Sequence, residues 1–296
     1  MPQLISEYEN FTKIKLLKQG VQAVNWLCRR ERDHRLFVRK TYTRYFKNDE
    51  GFPLEVEILK RVSRHHPKIL SLECFKIRHN SNLELYFPYC EGGDLVEAMK
   101  HHGWAHKEEF LWHVSISVAD ALAFLHYGFD RKRQDPRKPP SKWQLVIHRD
   151  VKTDNIFLLE PYRSSQPLPR IVLGDFGAAT LQSHSTDMGR PLGWVQPEFP
   201  RFTAKSDVWG LGAVVHHVCH GDTPTDPAPD GWDEEEWSFS PISKNPKALG
   251  SRYSDELNFN MMDCLETSSR ERVDSISLVR HLVRDREAAL RNISRT

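Results

Sequence analysis

Several features that mark specialised proteins are missing from this sequence. Excess charge is one: 42 Lys and Arg against 40 Asp and Glu leave a formal net charge of +2. That excludes a strongly basic nucleic-acid binder and an acidic, solvated chain. Paired cysteines are another. Cys28, Cys74, Cys90, Cys219 and Cys264 are odd in number, scattered, and contain no Cys-x-x-Cys. They argue against a disulfide framework and fit a reducing compartment, so a cytoplasmic or nuclear location is expected. No stretch approaches the roughly 20 apolar residues of a membrane span. The N-terminal MPQLISEYENFTKIK has no apolar core of signal-peptide length. A soluble protein without a membrane partner is expected, and no internal repeat is found.

What is present describes an ordinary globule, with 39% apolar and 28% charged residues. A length of 296 residues exceeds one average core and fits two lobes around a cleft.

The most informative stretch is VIHRDVKTDNIFLL, Val146 to Leu159. Short apolar runs flank His148, Arg149, Asp150, Lys152, Asp154 and Asn155. Such runs predict two buried strands with a polar loop pinned between them. A loop held on both sides by core can fix the side chains that phosphoryl transfer needs. Further on, Asp175-Phe176-Gly177 follows a second apolar run, Ile171-Val172-Leu173. Asp150, with Lys152 two residues on and Asn155 five, gives H-R-D-x-x-x-x-N. Together with D-F-G this resembles the protein kinases.

The resemblance implies an α+β, two-lobed protein-kinase fold, a small β-rich N-lobe and a larger, mostly helical C-lobe. It would cover the chain as one domain, 1–296, with little room for another module. The N-lobe would run over about 10–88, the hinge about 88–94 and the C-lobe about 95–291. Strand-like runs at Lys15–Leu17, Trp26–Cys28 and Leu36–Val38, with a charged turn over Arg29–Arg35, suit the N-lobe. By the resemblance, Lys40 closes the third strand and reaches the ATP phosphates. Glu55 sits in PLEVEILKRV, whose Leu54, Ile58, Leu59 and Val62 have helical spacing. It resembles the glutamate that pairs with that lysine, with Glu57 as competitor.

The glycine-rich loop departs from the pattern. Gly20 is the one glycine of three that remains; Lys18 and Ala23 stand at the outer positions, and Asn25 where a valine would cover adenine. A buried amide there costs roughly 1–3 kcal/mol. A one-residue bulge would put Val24 in its place, and the sequence leaves both open. Phe87 matches the hinge gatekeeper. The Pro88 carbonyl and the Cys90 N–H match the adenine contacts, and proline's missing N–H is no obstacle there. Gly92-Gly93 gives a turn. Asp94 matches a ribose contact and serves equally as a helix cap. Phe157 completes the implied nucleotide set.

For the chemistry, the resemblance gives Asp150 as catalytic base and Lys152 as balance for the transferred phosphate, a pattern of Ser/Thr rather than Tyr kinases. Asn155 and Asp175 offer hard oxygen ligands for Mg2+. ATP and Mg2+ are the implied cofactors, protein hydroxyls the substrates, and nucleic acid is not expected. Arg149 matches an arginine that docks an activation-loop phosphate, with packing as the alternative; Thr180, Ser183, Ser185 and Thr186 are the candidate switches. Pro191 replaces a threonine that would contact the catalytic Asp and Lys. Asp207 resembles the buried aspartate that ties its helix to the His-Arg-Asp backbone, and Arg272 the partner of Glu198. His216, Cys219 and His220 mimic zinc spacing, but no second pair completes a site.

The insert FDRKRQDPRKPPSKW, with CEGGDL and DNIFL, resembles the NIMA-related kinases, notably fungal ones. The insert also reads as a nuclear-localisation patch or a solvated loop. The rival reading of the whole chain is a catalytically weak or inactive kinase-fold scaffold, resting on Lys18, Ala23, Asn25 and Pro191.

Overall fold

A computed structural model describes residues 3–4, 10–20, 23–42, 44–45, 47, 51–63, 65–78, 82–101, 103–131, 143–163, 167–181 and 193–293. The chain forms two compact units, Met1–Glu91 and Gly92–Thr296.

The first unit is a six-stranded sheet in the order β1-β5-β6-β4-β3-β2. Its strands are β1 (Gln3–Leu4), β2 (Phe11–Gln19), β3 (Ala23–Arg30), β4 (Leu36–Tyr42), β5 (Cys74–Ile77) and β6 (Leu83–Pro88). The three expected strands are thus longer than their apolar runs, and the charged turn shrinks to residues 31–35. β1, parallel to β5, and β5 itself were not foreseen. β2 carries two register shifts against β3, which leave Ile14 and Leu17 as extra residues. Such bulges bend a strand and break its ladder. One helix, α1 (Leu54–Val62), crosses the unit and buries Val56, Ile58, Leu59 and Val62. Glu55 and Glu57 in its first turn and Lys60 and Arg61 in its last complement the helix dipole.

The second unit is mostly helical: α2 (Leu95–His101), α3 (Glu108–Tyr127), α4 (Ala204–His220), α5 (Glu234–Phe239), α6 (Asp255–Cys264) and α7 (Ser275–Ile293). Two small antiparallel ladders join it. β7 (Val146–Ile147) pairs with β10 (Thr180–Leu181), and β8 (Ile156–Leu158) with β9 (Ile171–Leu173). α3 is the central post, packed against α4, α7 and β9. It corrects one expectation: by length and composition α3 is apolar enough to cross a membrane. Its apolar residues are nonetheless turned into the unit's core, with Trp112, Ala119, Ala121, Leu122 and Leu125 fully buried. α4 begins with a capping box between Thr203 and Ser206 and stops at Gly221, whose φ of 83° suits a residue without Cβ. α5 fills part of the segment 221–250 that the sequence left unassigned; Asp233 caps it by accepting from two backbone N–H groups. The insert around 132–142 lies outside the described residues, but both flanks are held to α3. Arg131 makes a two-point contact with Asp120, and Trp143 donates to the Leu125 carbonyl.

Candidate active site

In the first unit, Lys40 lies in β4 and Glu55 in α1, with Nζ 3.4 Å from Oε1 and both side chains buried. Glu57 instead pairs with Arg61 at 2.7 Å. The choice between the two glutamates therefore falls to Glu55. Asn25 is registered directly opposite Lys40, whereas Val24 is opposite Thr41. Opposed residues of antiparallel strands share a face, so Asn25, not Val24, stands beside Lys40. Its Oδ1 is buried and has no hydrogen-bond partner among the described residues. Gly20 closes the β2–β3 turn by donating to the Ala23 carbonyl at 2.9 Å. Phe87 is buried near the end of β6; the next residue, Pro88, presents its carbonyl to the Cys90 thiol at 3.9 Å.

In the second unit, Gly92 and Gly93 lie against β8: Gly92 N donates to Leu158 O, and Leu158 N to Gly93 O. A Cβ at Gly92 would sit 2.3 Å from the Glu160 carbonyl oxygen, so no larger residue fits. Asp94 accepts from Glu97 N at 2.9 Å, capping α2, and forms an isolated bridge with Phe157. Both sides of the pair Asp94 and Phe157 thus belong to one local assembly.

The polar loop between β7 and β8 is built from the inside out. Asp207, on α4 and fully buried, accepts from His148 N and Arg149 N at 2.7 Å each. His126 Nε2 adds a third bond at 3.0 Å. Burial alone would raise the Asp207 pKa; the His126 hydrogen bond and the neighbouring charges more than offset it, and the carboxyl stays below its ordinary value. Held this way, Arg149 takes a φ of 70° and turns the chain sharply before Asp150. His148 is buried and its pKa is pushed down by that burial. The neutral ring donates from Nε2 to Gly174 O and accepts at Nδ1 from Asp150 N. Its edge packs on Phe176 at 4.8 Å. His148 and Phe176 therefore act as structural supports linking the two motifs.

Asp150 emerges from this frame with its carboxylate braced. Asn155 Nδ2 donates to Asp150 Oδ2 and to its carbonyl, both at 2.8 Å, and Lys152 Nζ lies 3.0 Å from Oδ2. With Nδ2 so committed, Asn155 keeps its amide oxygen as a ligand atom. Gly174 N donates to Asn155 O, which brings the Asp175 turn against the same loop. Asp175 has a φ of 59° and accepts from Gly177 N. Asn155 and Asp175 present oxygen donors, which fits Mg2+; that ion is usually held by one or two carboxylates together with substrate phosphates.

Some expectations change. Thr180 is buried in β10 and donates to the Leu181 carbonyl, so it is not an accessible switch. Ser183, Ser185, Thr186 and Pro191 lie outside the described residues. Arg149 stacks its guanidinium 4.6 Å over the Phe202 ring, which is the packing alternative. His216 uses Nδ1 on the Asp222 carbonyl and Nε2 on Lys247 N, which leaves no lone pair for zinc. Glu198 and Arg272 do pair, through two bonds of 2.8 and 2.9 Å.

The sequence missed the anchoring of the stretch before Pro197. Gly193 N donates to Ser238 Oγ, and Gly193 O accepts from Thr225 Oγ1. Nearby, Lys244 is buried and donates to Ser238 O and Ser243 Oγ. Burial lowers its pKa to about 8. These contacts come from residues far apart in sequence, and no local spacing announces them.

The family model for the protein kinase domain matches residues 11–283. The chain belongs to the protein kinase family. Among similar proteins, G2-specific protein kinase nim-1 of Neurospora crassa is 28% identical over 93% of this chain and 33% of its own length. G2-specific protein kinase nimA of Emericella nidulans is 30% identical over 84% of this chain and 37% of its own. G2-specific protein kinase fin1 of Schizosaccharomyces pombe is 29% identical over 76% and 31%. These relatives accord with the resemblance to the NIMA-related kinases, and this chain spans about a third of their length.

Proposed function

We propose that this kinase transfers the γ-phosphate of ATP to Ser or Thr hydroxyls of proteins, with Asp150 as base. The observation that carries this reading is the braced Asp150 carboxylate, held by Asn155 Nδ2 at 2.8 Å and Lys152 Nζ at 3.0 Å. Such bracing leaves one carboxylate oxygen to orient an attacking hydroxyl and accept its proton. Lys152 offsets charge on the phosphate in transit. Lys40, kept in place by Glu55, contacts the ATP phosphates, and Gly20 lets the backbone approach them. Pro88 and Cys90, beside Phe87, are the proposed adenine contacts; Asp94 is the proposed ribose contact, and Phe157 belongs to the same nucleotide set. Asn155 and Asp175 hold Mg2+, which neutralises charge on the phosphates when bound. Proteins bearing Ser or Thr hydroxyls are the substrate class expected.

The test is transfer of labelled phosphate from ATP with Mg2+ to generic Ser/Thr substrates. Asp150→Asn should lose on the order of 1,000-fold in rate. Equal rates for both proteins would remove Asp150 from its role. A second reading, a weak or inactive scaffold, draws on the orphaned Asn25 Oδ1 beside Lys40. No transfer even after prior phosphorylation, and no thermal shift with Mg2+-ATP, would favour it.

A further inference from the structure

Pro191 stands where related Ser/Thr kinases carry the threonine that joins substrate-holding stretch to catalytic loop. The second unit contains another join. His217, on α4, has Nδ1 3.4 Å from Thr153 Oγ1. The same ring stands edge-on to Trp194, with centroids 5.3 Å apart and planes at 90°. Thr153 is fully buried and lies in the 3-10 turn Thr153–Asn155, between Lys152 and the amide that braces Asp150. Trp194 directly follows Gly193, which Ser238 and Thr225 clamp from the other side. One imidazole therefore touches both segments that must be in register for a hydroxyl to meet Asp150.

We propose that His217 is a positioning residue that locks the stretch 193–198 to the catalytic loop through Thr153. It does by hydrogen bond and ring packing what a threonine at 191 would do directly. Burial pushes the His217 pKa down, against the pull of the Asp154 and Asp222 carboxylates. A neutral imidazole has one N–H and one lone pair, so Nδ1 can meet the Thr153 hydroxyl in either tautomer. The neighbouring His216 and His220 do not share this place: His216 faces Asp222 and Lys247, and its ring packs at a tilt against His220.

The inference rests on the proposed transfer activity, and its test carries a second readout that does not. Four variants of the full chain separate the contacts. Thr153→Val removes one hydroxyl at constant shape. His217→Phe keeps a ring against Trp194 and loses the hydrogen bond. The third combines both, and His217→Asn restores a polar atom near the Nδ1 position. Each of the first two should lower kcat/KM for a peptide substrate about 3- to 10-fold. The KM for ATP should not change. The double variant should be no worse than the poorer single one, because both break the same bond. His217→Asn should recover part of the loss. Hydrogen exchange of the 193–198 amides should speed up in Thr153→Val, although the mutated residue lies outside that stretch. Additive losses, losses that follow ATP KM or melting temperature, or unchanged exchange would overturn the proposal. If the wild type transfers no phosphate, the activity reading fails, and the exchange result alone decides the join: faster exchange supports it and unchanged exchange ends it.

Discussion

Lys40 and Asp150 sit in different units and are held by different means. In the first unit, Lys40 meets Glu55 at 3.4 Å, beside an asparagine whose Oδ1 is buried without a partner among the described residues. In the second, Asp207 fixes two successive backbone N–H groups and an imidazole at 2.7 to 3.0 Å, and Asp150 grows out of that frame. A loop that must hold a non-glycine residue at a φ of 70° needs a specific buried acceptor beneath it. A strand that already sits in a sheet needs none. The catalytic loop of the second unit therefore keeps H-R-D-x-x-x-x-N intact, while the first unit tolerates Lys18, Ala23 and Asn25 near its phosphate loop.

Removing the frame should have the largest effect. Both carboxylate oxygens of Asp207 accept; Asp207→Asn replaces one of them with an NH2 that faces a donor, and should cost about 3–5 kcal/mol of stability in denaturant unfolding. A cost under about 1 kcal/mol would mean that the frame is not what holds the loop, and the contrast between units would lapse. The second unit also contains an unbalanced group, which sharpens the comparison from the other side. Lys244 has a folded-state pKa near 8 against an ordinary 10.5, so the unfolded chain binds its proton more tightly. Stability therefore rises with pH between about 8 and 10.5, by roughly 3 kcal/mol in total. Lys244→Met should abolish that part of the slope; melting both proteins across the window measures the difference, and parallel curves would reject it. The smallest effect is in the first unit. Asn25→Val relieves an orphaned amide oxygen and should stabilise the protein by about 1 kcal/mol while tightening Mg2+-ATP binding. Weaker binding would mean that the amide contacts the nucleotide.

Much of this was legible beforehand. The apolar runs around His148–Asn155 did become β7 and β8, the Asp175 turn does follow β9, and the helical spacing around Glu55 did become α1. Asp207 and Arg272 meet the partners expected of them. Each of these rests on local periodicity or on a motif with fixed spacing. The rest depends on contacts between distant segments. Nothing near Asn25 says which of two neighbours faces Lys40; the pairing of β3 with β4 decides it. Thr180 looks like any loop threonine until β10 pairs with β7 and buries it. His217 is hidden between two histidine spacings that suggest metal, and only the fold brings Trp194 to it. α3 passes for a membrane span because a helix buried all round has the composition of one.

The bulges of β2 bear on how this kinase behaves in a crowded solution. β2 is the last strand of its sheet, and Ile14, Leu16 and Leu17 on it are exposed. A flat, greasy edge of that kind would template pairing with another chain and seed aggregates. Ile14 and Leu17 are the two extra residues, so the edge offers a regular ladder for no more than two or three residues at a time. Lysines 13, 15 and 18 interleave with them. The irregularity that makes the strand a poor partner for a second copy is thus a solubility device, present at the positions where stickiness is greatest.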